Sequence, residues 1–131
     1  MPIFWRNQLR VGQDDIDADH RYLILLINTV ELVLRFPDQP HHVELALDEL
    51  LRYAQFHFER EEKIQIAYGY THLDEHKIEH RRLLGSLEAM IAKVKLALAD
   101  PAAGPATVQA QSGEITGLLR HWLVDHVMKA D

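Results

Sequence analysis

Nine histidines and no cysteine stand in a chain of 131 residues. Five of the nine fall into patterns that suit a metal. His57 and Glu61 are four apart, and so are His76 and His80. Residues four apart on a helix lie one above the other, so each pair points one way. His20 leads into Leu23, Ile24 and Ile27, and His126 follows Leu119 and Trp122, so both continue an apolar stripe. A single histidine on an apolar face is usually a satisfied core residue. Five of them on four stripes, with a glutamate in register, are harder to satisfy one by one. Left unpartnered in a core they would cost several kcal/mol in total. A metal ion satisfies them together, because neutral imidazole and carboxylate are both good ligands.

Other chemistries lack their residues. Without cysteine there is no disulfide framework, no thiolate site and no cysteine nucleophile. The H-E-x-x-H of zinc proteases is absent, and so are the Glu-x-x-His pairs of ferritin-like di-iron sites. Neither glycine-rich nucleotide loop occurs. Fourteen basic against twenty acidic residues give a net charge of −6. No Lys/Arg run exceeds two, which argues against nucleic-acid binding. The longest clean apolar run, Tyr22 to Ile27, is far short of a bilayer span. Residues 1–15 lack the layout of a signal peptide, so a cytoplasmic location with no membrane partner is expected.

Helices must position these side chains. The length fits a single domain, with an N-terminal arm over 1–16 and a helical body over 17–131. Pro2, Gly12 and Asp14–Asp15 discourage regular structure in the arm, and Phe4 and Trp5 are suited to anchor it. The first helix is expected over about 18–36, capped by Asp17. The second is expected over about 41–67, stopped by Gly69, and the third over about 73–99. D-P-A-A-G-P at 100–105 is a loop signal. A fourth helix is expected over about 107–130, with Ile115, Leu118, Leu119, Trp122 and Leu123 inward. Leu51, Ile64, Leu84 and Leu98 fall on the inner stripes of helices two and three. No segment alternates as a strand would, so the fold class is all-α, an antiparallel up-down-up-down four-helix bundle. His41, His42 and His72 are read as surface residues, and His121 lies off the ligand stripe. The charge runs at 60–63 and 80–82, Glu61 and His80 apart, are read as solvated faces.

Several motifs occur in order along the chain: Trp5 in the arm, I-D-A-D-H at 16–20, H-F-E-R-E-E at 57–62, and Y-G-Y at 68–70. H-x-x-x-H follows at 76–80 and W-L-V-D-H-V-M-K-A-D at 122–131. Together they resemble the hemerythrin family in its bacterial form. The resemblance implies a four-helix bundle around two non-haem iron ions, joined by an oxo or hydroxo bridge, that bind dioxygen reversibly. Carried over, His76, His80 and His126 hold one iron, His20 and His57 hold the other, and Glu61 and Asp131 bridge them. This donor set leaves one position open, on the iron with only two histidines, where dioxygen fits. Two electrons and the bridge proton move to the gas together, so the core sees no change of net charge. The residues that line the gas pocket correspond to Leu23, Phe58, Trp122, Leu123 and Val127, each within a turn of a ligand. Ordinary core packing accounts for the same residues, and the two roles are compatible.

Two positions depart from the simple pattern. Gln65 continues the His57–Glu61 stripe where the family usually has Met. It either raises polarity near the cluster, speeding autoxidation, or turns toward solvent. His126 and Asp131 are five apart, so a shared role needs a loosened last turn. Oxygen storage, delivery or sensing is the expected function, without catalysis. The alternative is a redox or oxygen sensory module of a larger signalling protein with an unknown partner, which a chain ending on a ligand suits. A di-iron oxidase or peroxidase is disfavoured, because oxygen-activating di-iron sites are richer in carboxylates.

Overall fold

The computed structural model describes Trp5, residues 13–36, 40–69 and 71–100, and the backbone of 104–129. The side chains of Pro105, Asp125, Val127, Met128 and Lys129 are outside the description. Five helices follow one another: α1 (Asp14–Arg35), α2 (Pro40–Ala67), α3 (Leu73–Leu98), α4 (Gly104–Ala110) and α5 (Ser112–Lys129). No strand occurs among the described residues.

α1 begins earlier than the sequence suggested. Its N-cap is Gln13, whose side-chain oxygen accepts from Ile16 N at 2.8 Å. Asp17 is not the cap but lies inside the helix and is buried. The physical reason is the acidic first turn: Asp14, Asp15 and Asp17 complement the positive N-terminal end of the helix dipole. The boundary of the arm therefore moves back, and Asp14–Asp15 support helix instead of opposing it. Trp5 packs on the core, with the Arg21 guanidinium 4.6 Å over its ring. Phe4 lies outside the described residues.

α2 ends as expected. Gly69 takes φ 65°, a left-handed conformation that glycine adopts without strain. The expected fourth helix is instead two. Ser112 and Gly113 are poor helix formers, and Gln111 N is shared between Thr107 O at 3.1 Å and Val108 O at 3.2 Å. α4 starts within the segment expected to be loop. A side chain at Gly104 would come within 2.6 Å of Ala97 O, so only glycine lets α4 begin this close to the end of α3.

The helices run antiparallel around one core. Residues 19 and 22 of α1 meet 57 and 53 of α2. Residues 62 and 65 of α2 meet 80 and 76 of α3. Residues 83 of α3 and 122 of α5 are joined, and so are 31 of α1 and 120 of α5. This is the expected bundle, with α4 and α5 together forming its fourth arm. Leu118 is a correction: it is 54% exposed. One residue before Leu119 lies about 100° off the inward stripe. Leu51, Ile64, Leu84 and Leu98 sit at the edges of their stripes and are only half-buried.

Candidate metal centre

Four helices each send polar side chains into the apolar interior. His20 comes from α1, His57 and Glu61 from α2, His80 from α3 and His126 from α5, and all five are buried. The i, i+4 spacing of His57 and Glu61 delivers both to one point, as the helical period requires. His20, His57, Glu61 and His126 form one group whose donor atoms all lie within 4.8 Å of one another.

The atoms that converge are the Nε2 nitrogens. His57 Nε2 lies 2.8 Å from His126 Nε2, and His20 Nε2 lies 3.3 Å from it. Glu61 Oε2 is 3.1 Å from His57 Nε2, 3.4 Å from His126 Nε2 and 3.9 Å from His20 Nε2. Its other oxygen, Oε1, is 3.2 Å from His80 Nε2. Glu61 thus touches every one of the four buried imidazoles, the position a bridging carboxylate needs.

The outer nitrogens explain why the inner ones face inward. His57 Nδ1 donates to Asp19 Oδ2 at 3.0 Å, and Asp19 Oδ1 accepts from Tyr53 OH at 2.9 Å. Arg60 Nε stands 3.4 Å from Asp19. His80 Nδ1 donates to Glu62 Oε2 at 2.7 Å. A ring that spends its proton on a carboxylate at Nδ1 presents a bare lone pair at Nε2. His57 and His80 therefore aim lone pairs at other acceptors, an arrangement that a cation resolves. Glu61 Oε2 accepts no well-directed hydrogen bond, and the buried Nδ1 atoms of His20 and His126 have no partner. The donor set of imidazoles with a carboxylate fits iron.

The electrostatics agree. Burial, reinforced by the neighbouring His57 and His126, pushes His20 down to about 3. Burial also lowers His126. Burial opposes the charge on Glu61, but its close approach to His126, His57 and His80 outweighs it and holds the carboxyl well below its usual range. For His57 burial works downward, but the hydrogen bond to Asp19 and the nearby charges of Glu61 and Asp19 win, so the net shift is upward. Neutral His20 and His126 beside a charged Glu61 are the protonation states that metal binding needs.

The sequence-derived set is only partly assembled here. His126 sits with His20 and His57, and reaches the His80 side through Glu61. His76 stands apart: it is half-buried, with its ring 6.2 Å from that of His80. Asp131 lies outside the described residues. Phe58 forms a wall of the cluster, stacked on His80 at 4.2 Å and edge-on to His126 at 4.8 Å. Trp122 stands behind it at 5.9 Å and donates through Nε1 to Leu83 O. Leu23 and Leu123 are buried in the same core, and the Val127 side chain is outside the description. His41, His42, His72 and His121 are exposed.

The sequence pattern of the hemerythrin HHE cation binding domain matches residues 11–131. The chain belongs to this family. It is similar to a bacteriohemerythrin of Clostridium acetobutylicum, 32% identical over 68% of this chain and 71% of that one. A bacteriohemerythrin of Stenotrophomonas maltophilia is 29% identical over 98% of this chain and 76% of its own. A hemerythrin-like protein of Naegleria gruberi is 25% identical over 99% and 88%.

Within this hemerythrin-type domain, sequence reasoning missed the second layer. Asp19, Tyr53, Arg60 and Glu62 were not singled out. Arg60 and Glu62 belong to a charge run whose pattern suggests a solvated face, yet both reach inward to the ligand layer. The available signal was adjacency: Asp19 precedes His20, and Glu62 follows Glu61. The other run behaves as expected, with Arg81 and Arg82 exposed. Gln65 does not turn to solvent. It is half-buried, and its Nε2 lies 2.7 Å from His76 Nδ1. No helix among the described residues is long and apolar enough to cross a membrane.

Proposed function

We propose that this chain binds dioxygen reversibly at a pair of iron ions, for oxygen storage, delivery or sensing, and that it is not an enzyme. His76, His80 and His126 hold one iron and His20 and His57 the other, with Glu61 and Asp131 shared between them. Bound iron supplies the reversible exchange of two electrons with the gas. The observation that carries this reading is the meeting of four buried imidazoles on one carboxylate under an aromatic wall.

Each group in the chain has a distinct task. Asp19 and Glu62 hold His57 and His80 in the tautomer that leaves Nε2 bare. Glu61 supplies the negative charge that offsets the metal in a low-dielectric core. Phe58, Leu23, Trp122 and Leu123 keep water from the gas-binding position, and a dry pocket protects the bound gas from proton delivery. Imidazoles outnumber carboxylates in the cluster, which favours binding over oxidation chemistry.

The test is an optical spectrum of the reduced, iron-loaded protein before and after air. A visible charge-transfer band that appears with oxygen and leaves on its removal is expected. Steady oxygen consumption without that band would replace binding with an oxidase activity.

A further inference from the structure

Three of the five candidate ligand histidines have a side chain on Nδ1, and the three partners differ in kind. His57 has the carboxylate of Asp19 and His80 that of Glu62, whereas His76 has the neutral amide of Gln65. The amide carries an unsettled account: with Nε2 toward His76 Nδ1, Gln65 Oε1 is buried and has no hydrogen-bond partner. A buried orphan oxygen keeps its desolvation cost with nothing to offset it. A half-turn of the amide exchanges its two ends. Oε1 then accepts from Nδ1–H of His76, and the ring's Nε2 becomes a bare donor like those of His57 and His80.

We propose that Gln65 is a positioning residue for His76, a switchable amide that turns its oxygen to His76 Nδ1 when a metal ion takes Nε2, and so sets how tightly the second ion is held. This rests on the two-iron reading above. The buried group of His20, His57, Glu61 and His126 is already assembled. His76 is the half-buried member and is held by the weakest of the three partners. The two metal positions are therefore unequal: the position of His20 and His57 has both of its imidazoles within the assembled group, and the position of His76, His80 and His126 needs His76 and the amide turn. A methionine at 65 has no acceptor of comparable strength, and a glutamate has a stronger one.

The experiment titrates the metal-free protein anaerobically with Fe²⁺, and in parallel with Co²⁺ as an optical probe. The wild-type chain is expected to take two ions with separable affinities. Gln65→Met should weaken only the second, by about 10–100-fold, the usual loss for an outer partner of a metal-bound histidine. Gln65→Glu should bind the second ion at least as tightly as the wild type. Long-range ¹H–¹⁵N spectra of the zinc-loaded protein should show His76 protonated at Nδ1, and Gln65→Met should shift that resonance. Two ions bound by Gln65→Met with unchanged affinities would overturn the role of Gln65 and leave the two-iron reading intact. A wild-type chain that takes fewer than two ions would overturn both.

Discussion

His57 Nε2 and His126 Nε2 face each other at 2.8 Å across the interior, one from α2 and one from α5. The proton of His57 is committed at Nδ1 to Asp19. The pair therefore depends on His126 for its single proton, and metal ions that take the two nitrogens as ligands replace that proton. Substituting either ring removes a donor from the assembled group. His57→Ala and His126→Ala should each lower the bound iron to half the wild-type content or less. Metal analysis of the purified variants checks this, and full iron content in either would contradict the assignment.

Asp19 is buried and binds Tyr53, Arg60 and His57 at once. Asp19→Asn keeps the shape but weakens the acceptor for His57 Nδ1–H. Metal affinity should fall about 10–100-fold, with the helical content unchanged. Competition with a chelator of known affinity measures the loss. Affinity equal to the wild type would show that Asp19 serves packing alone.

Phe58 is 1% exposed and stacked on His80. Phe58→Ala should destabilise the fold by about 3–5 kcal/mol, from lost burial and the cavity left behind. The same cavity admits water beside the ligands, so the oxygenated protein should oxidise irreversibly faster. Urea unfolding reads the first effect, and decay of the oxygen-dependent band reads the second.

Acid should destabilise the metal-free protein. In the fold His20 is pushed from 6.5 to about 3 by burial and by His57 and His126. The unfolded chain then binds the proton more readily, and stability rises with pH wherever the unfolded state holds more protons. The stability is thus present above about 6.5 and is lost as the pH falls toward 3. The lowered His126 and His76 act in the same direction, whereas the raised His57 opposes them. Urea midpoints at a series of pH values should fall on acidification through this window. A midpoint that rises would reverse the sign.

Loading with iron should stabilise the protein, because the ion binds the folded ligand set and not the unfolded chain. At 100 times the dissociation constant the gain is about 2.7 kcal/mol, or roughly 10 °C in Tm for a domain of this size. Scanning calorimetry with and without the ion tests it, and chelation should return the lower Tm.

Much of this protein follows from one-dimensional pattern. The stripes of Leu23, Ile27 and Leu34 and of Leu83, Leu87 and Ile91 predict helices and their inner faces, because a helix repeats every 3.6 residues whatever surrounds it. His57 and Glu61 are legible as a pair for the same reason, and the stop at Gly69 is legible from glycine's backbone freedom. Pattern fails where a local preference is decided by its neighbours. The acidic start of α1 and the start of α4 depend on dipole complementarity and on a close backbone approach at Gly104.

The sequence by itself determined which residue types could ligate a metal and that helices present them, since ligand type and helical period are local properties. Only the tertiary structure decided how those residues combine. It gathered His126 with His20 and His57, seated Glu61 among four imidazoles, and set His76 apart with Gln65. It also drew Asp19 and Glu62 inward as partners of His57 and His80. Contacts between helices depend on their rotation and axial register, and those are settled by packing of the whole core.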